Sequence, residues 1–99
     1  MRIVWAPVAL FRVEQIARRI AEGRQDAARA WVIGLFDAVS SLSDFPERGR
    51  MVPEAGRPDI REVIYRDHRV IYRLESRRVA ILTVRHARRM LDSREIPRE

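Results

Sequence analysis

With 99 residues, 46% of them hydrophobic and 34% charged, the chain holds material for one small core and is expected to form a single domain over residues 1–99. Cysteine is absent and histidine occurs twice, which excludes disulfides, thiol catalysis and a metal cage, and no cofactor is implied. No apolar run approaches the roughly 18 to 20 residues of a membrane span, and the opening Met1-Arg2-Ile3-Val4-Trp5-Ala6-Pro7 lacks a signal-peptide stretch, so a cytoplasmic chain is expected.

All 20 basic residues are arginine, against 14 acidic ones, for a net charge of +6. Residues 1–59 hold nine Arg and eight Asp or Glu, whereas residues 60–99 hold eleven and six, so the halves carry +1 and +5. The C-terminal part therefore carries the field that attracts polyanions or an acidic protein partner.

In chain order, Arg2 to Trp5 reads as a short strand, β-branched and aromatic, ended by Ala6-Pro7. Pro7 suits the first helical position, and Ala9, Val13, Ile16 and Ile20 follow as the stripe of an amphipathic helix that Gly23 stops. A second stripe, Ala28, Val32, Leu35, Val39 and Leu42, follows Asp26 and ends before Phe45-Pro46, which predicts an antiparallel helical hairpin. Ser43 to Asp59, with Pro46, Pro53, Pro58, Gly49 and Gly56 as turn residues, reads as a long irregular connection. Three alternating runs, Ile60–Arg66, His68–Glu75 and Arg78–His86, predict a three-stranded antiparallel meander. The expected class is α+β, with the helices on one sheet face and the other face free for function.

On the middle strand, alternation groups Val70, Tyr72 and Leu74 as core and Arg69, Ile71 and Arg73 as an open basic surface. Arg61, Arg69, Arg73 and Arg85 on strands, with Arg88 and Arg89 beyond them, are the candidate target-binding residues, because guanidinium groups hold phosphates and carboxylates bidentately. The competing reading pairs each with a neighbouring acid such as Glu62, Asp67 or Glu75, yet three acids cannot neutralise nine arginines between residues 61 and 91. On the open-surface reading, Arg69 matters for target binding more than for folding. His86, among Arg85, Arg88 and Arg89, is a candidate proton-transfer group, and Glu54 in the irregular loop is a second possible base. No phosphate loop, nucleophile elbow or Ser/His/Asp arrangement is visible.

Taken together, Trp5-Ala6-Pro7-x-Ala9-Leu10, Phe45-Pro46-x-x-Gly49-Arg50-x-x-Pro53-Glu54, Ile60-Arg61-Glu62, Arg69-Val70-Ile71-Tyr72-Arg73 and Val84-Arg85-His86-Ala87-Arg88-Arg89 resemble the RelE/ParE superfamily of bacterial type II toxins over nearly the whole chain. The resemblance implies a growth-arresting toxin silenced by a cognate antitoxin in a hetero-oligomer, with two branches open. In the RelE branch, ribosome-dependent messenger RNA endonucleases, Arg69, His86 and Arg89 would be the catalytic residues. In the ParE branch the target is DNA gyrase and no bond-breaking chemistry is implied. The missing lysine, and the missing tyrosine after Tyr72 where the RelE branch stacks a base, favour ParE. A non-toxic basic binding module is the third alternative.

Overall fold

Ile3, Val4 and Trp5 form strand β1 (Arg2–Trp5), which runs straight into helix α1 (Pro7–Ala21) because Pro7 occupies the first helical turn. Arg18 and Arg19 in the last turn complement the C-terminal end of the helix dipole. Gly23, with φ of 71°, takes the left-handed conformation that turns the chain into α2 (Gln25–Ser40), extended by a 3₁₀ turn over Ser41–Ser43. The remaining strands are β2 (Arg50–Met51), β3 (Ile60–Tyr65), β4 (His68–Leu74) and β5 (Arg78–His86), followed by a 3₁₀ turn at Ser93–Glu95. This computed structural model describes residues 1–98.

The strands form one sheet in the order β1-β5-β4-β3-β2. The expected antiparallel meander is present as β3, β4 and β5. Two features go beyond it: β1 pairs parallel with Arg78–Ile81 of β5, and the irregular connection contributes β2, antiparallel to β3. The register of β4 against β5 shifts between Ile71 and Tyr72, which face Thr83 and Ile81. That shift leaves Leu82 as a bulge residue, so Val79, Ile81 and Val84 all serve the helix-side core.

The core between sheet and helices contains Ala9, Val13, Trp31, Leu35, Val39, Leu42, Val70, Tyr72, Val79, Ile81 and Val84. The predicted helix stripes and the Val70/Tyr72 set thus reach the interior, with Trp31 added. Tyr72 also shapes the loop: its hydroxyl donates to the Pro46 carbonyl and accepts from the Gly49 N–H, at 2.7 and 2.9 Å. A Cβ at Gly49 would lie 2.6 Å from that hydroxyl, so glycine is needed here for close approach rather than only for turning.

The opposite sheet face is not an open basic surface. Val52, Ile60, Ile71 and Leu91 form a second apolar cluster there, covered by the irregular loop and by the segment after β5. Arg69 lies within it, 5% exposed. Its Nε donates to Glu62 Oε1 at 2.6 Å, its two terminal nitrogens hold Glu54 bidentately at 2.7 and 2.8 Å, and one of them also donates to the Arg89 carbonyl at 2.9 Å. Glu62, fully buried on β3, accepts from Arg50 Nε at 2.5 Å as well, and Glu54 accepts the Leu91 N–H at 2.9 Å. The expected exposure of Arg69 fails because Glu54, far away in sequence, and the C-terminal segment fold over it. Glu54 is therefore occupied as an ion-pair partner rather than available as a solvated base.

The hydrogen bonds from Arg69, opposed by burial and aided by the Leu91 N–H, hold the Glu54 carboxyl down from its ordinary 4.5 to about 2. A depressed carboxyl stabilises the fold above its unfolded pKa and loses that contribution as pH falls toward the folded value. The stability gap between the wild-type chain and Glu54→Gln, measured by urea unfolding, should thus be widest above pH 4.5 and close as pH falls toward about 2. A gap independent of pH would show that the pair contributes nothing. Arg69→Met, which leaves Glu54 without its cation under the loop and Glu62 with Arg50 alone, should cost about 3–5 kcal/mol, the usual loss when one partner of a buried pair is removed.

Candidate functional site

At the end of the sheet where β4 begins and β5 ends, His68 and His86 are paired in register, with ring centroids 5.5 Å apart and planes at 70°. His68 also meets Trp31 edge-on at 5.3 Å, anchoring it to the core. Its Nδ1 is buried without a partner, and burial, then the charge of His86, pushes its pKa down. Both effects favour the neutral form of the His68 imidazole. His86 is exposed, and its Nδ1 accepts the Arg88 N–H at 3.2 Å.

Beside these rings α1 and β5 enclose a cleft of about 260 Å³, lined by Arg12, Gln15, Ile16, Arg19, His68, Val84, Arg85, His86 and Arg89. Arg12 and Arg19, seven residues apart, share one face of α1 and add their charge to that of the strand end. The lining holds four arginines, of which Arg12 and Arg85 also face the Glu95 carboxylate just outside it, and no carboxylate of its own, so the cleft carries net positive charge and has no acidic group to serve as a general base.

Of the residues singled out from the sequence, His86, Arg85 and Arg89 meet in this cleft, and Arg88 stands exposed beside it. The others do not join them. Arg69 is in the buried cluster already described. Arg61 donates to the carbonyls of Pro58, Glu47 and Gly49 and so holds the loop. Arg73 lies 3.4 Å from Asp59, whose carboxyl is held low first by its hydrogen bonds from Arg57. The expected single basic surface is therefore divided among separate tasks. His68, Arg12 and Arg19 were missed by sequence reasoning, although the arginine spacing of seven along a helix pattern was a usable signal.

No helix among the described residues is long and apolar enough to cross a membrane, and no group of three or more potential metal ligands occurs among them. The model of the family described as the ParE toxin of the type II toxin-antitoxin system, parDE, matches residues 3–91. A protein of Sinorhizobium fredii (strain NBRC 101917 / NGR234) named "Putative toxin Y4kP" is 38% identical over 89 residues, covering 87% of this chain and 88% of its own length. A solved chain of the chromosomal ParDE TA system from P. aeruginosa superposes with a TM-score of 0.73 at 18% identity, over 87% of this chain and 95% of that one, which shows a shared fold. With its strand, helical hairpin and antiparallel strands in one sheet, the chain belongs to the ParE toxin family of type II toxin-antitoxin systems.

Proposed function

We propose that this toxin arrests growth in the bacterial cytoplasm by poisoning DNA gyrase through its exposed basic strand end, and that a cognate antitoxin neutralises it. The observation that carries this reading is the location of free charge. Arg88 and Arg89 are exposed just beyond β5 beside a cleft without a carboxylate, whereas Arg61, Arg69 and Arg73 are engaged by carbonyls and acids of the fold. Such an arrangement suits binding to a target through charge. Arg69, proposed from the sequence as a target contact, acts instead as the anchor that holds the Arg89 backbone in place.

His86→Gln retains size and a hydrogen-bonding group, so it should stay toxic and keep an SOS signature. Replacing Arg88 and Arg89 together by glutamine should weaken toxicity, since each charged hydrogen bond lost is worth about 1.5–3 kcal/mol, roughly tenfold or more in affinity. Induced expression with an SOS reporter, alongside primer extension on a translated message, makes the measurement. Defined cuts within codons that vanish in His86→Gln would overturn the gyrase assignment and favour messenger RNA cleavage.

The antitoxin reading draws on the helical hairpin. Val8 and Phe11 on α1 and Ile33 and Phe36 on α2 remain exposed although they are large and apolar, with Phe11 at 56% and Ile33 at 57%. An acidic, amphipathic antitoxin segment suits both this apolar surface and the net charge of +6. Raising ionic strength from about 0.01 to about 0.15 M shortens the screening length from about 30 to about 8 Å, and the association rate in stopped-flow should fall about tenfold or more. An association rate indifferent to salt would remove the electrostatic part of this reading.

A further inference from the structure

After β5 the chain turns back, and the Ser93–Glu95 turn lays Glu95 between two arginines from separate elements, Arg12 of α1 and Arg85 of β5. Glu95 Oε1 lies 3.3 Å from an Arg12 terminal nitrogen and 3.5 Å from Arg85 Nε. These separations bring opposite charges together without forming hydrogen bonds, and Arg12 Nε, Arg85 Nε and Glu95 Oε1 are all buried without a hydrogen-bond partner. Arg85 and Glu95 side chains are only 15% and 16% exposed, so water does not readily supply what is missing.

The charge count is also unbalanced. Arg12, Arg85, Asp92, Arg94 and Glu95 line a cleft of about 340 Å³. Asp92 is committed to Arg94, at 2.7 Å, which leaves one carboxylate to serve two guanidinium groups. Glu95 cannot approach closer while its other oxygen, Oε2, accepts the Asp92 N–H at 3.0 Å and completes the capping box of its own turn. A carboxylate free of that restraint could satisfy both Nε donors together.

We propose that Arg12 and Arg85 form a carboxylate-binding site that Glu95 fills provisionally, and that an acidic side chain of a protein partner displaces Glu95 there. A second observation favours a peptide over a nucleic acid as the source. Next to the ion cluster a further cleft of about 340 Å³ includes the apolar side chains of Ala6, Val8, Leu82 and Pro97, and the hydroxyl of buried Thr83 in it has no partner. β1 pairs only as far as Ile81, so this wall lies where β5 loses its outer neighbour. An acidic residue flanked by apolar ones fits both clefts, whereas a phosphodiester backbone fits only the first. The identity of the source rests on the antitoxin reading above, while the site rests on geometry alone.

The test is a titration of the full ¹⁵N-labelled chain, followed at the Arg12 and Arg85 Nε–H resonances, with acetate, inorganic phosphate and an eight-residue peptide carrying one glutamate between valines. Glu95→Gln removes the internal competitor without removing the turn's bulk, and should bind acetate at least tenfold more tightly than the wild-type chain. Adding Arg85→Gln or Arg12→Gln to Glu95→Gln should abolish that gain. The peptide should bind Glu95→Gln at least tenfold more tightly than acetate, and its glutamine analogue should lose this advantage. Equal acetate affinity in wild type and Glu95→Gln, or a gain that survives both arginine substitutions, would overturn the site. Phosphate binding more tightly than the glutamate peptide would overturn the protein source. Failure of the SOS assay would leave these titrations unchanged, so the two readings fall separately.

Discussion

The Arg69 guanidinium is the constraint on which the basic end of the molecule depends. It reaches carboxylates on β3 and on the irregular loop and a carbonyl of the C-terminal segment, so three parts of the chain without a common secondary structure share one cation. A buried carboxylate, a half-buried one and a buried arginine would be unfavourable if any partner were missing, because each uncompensated charge retains its desolvation penalty. Arg50 supplies the second cation at Glu62, and the Leu91 N–H completes Glu54. The group thus acts as a unit, closing the face of the sheet that the helices leave uncovered.

That closure decides what the rest of the arginines do. A strongly basic chain of this size has to distribute like charges over a small surface, and here several become fasteners: Arg61 on loop carbonyls, Arg73 beside Asp59, and Arg57 on Asp59 and the Pro97 carbonyl. What stays free collects at one end, where α1 contributes Arg19 and the strand end contributes His86, Arg88 and Arg89. Because the Arg69 bond fixes the Arg89 backbone, the exposed charges leave the sheet from a fixed base. The buried clamp and the exposed strand-end charges are therefore far apart in sequence but joined in space by one hydrogen bond.

The elements were legible because their periodicities are strong. The helix stripes reach the core, the three alternating runs become β3 to β5, and Val70 and Tyr72 are buried as alternation requires. The other face of β4 was misread for a physical reason. Alternating Arg69, Ile71 and Arg73 looks solvent-facing when only local pattern is considered, and the cover that makes it interior comes from Glu54 and Leu91, fifteen or more residues away. Glu62 was recognised as a possible partner because it is close in sequence. His68 escaped notice since its proximity to His86 arises only from cross-strand register, and the cleft's helix arginines required knowledge of where α1 crosses β5.

A double-mutant cycle between Glu54 and Arg69 tests the clamp most directly. Unfolding free energies of the wild-type chain, Glu54→Ala, Arg69→Ala and the double variant, measured in urea at neutral pH, separate the pair's coupling from the cost of each truncation. The bidentate geometry, at 2.7 and 2.8 Å under the loop, predicts a coupling of about 1 kcal/mol or more, with the double variant far less damaged than the two single losses added together. Strictly additive losses would contradict it, returning Arg69 to the role of an independent surface cation.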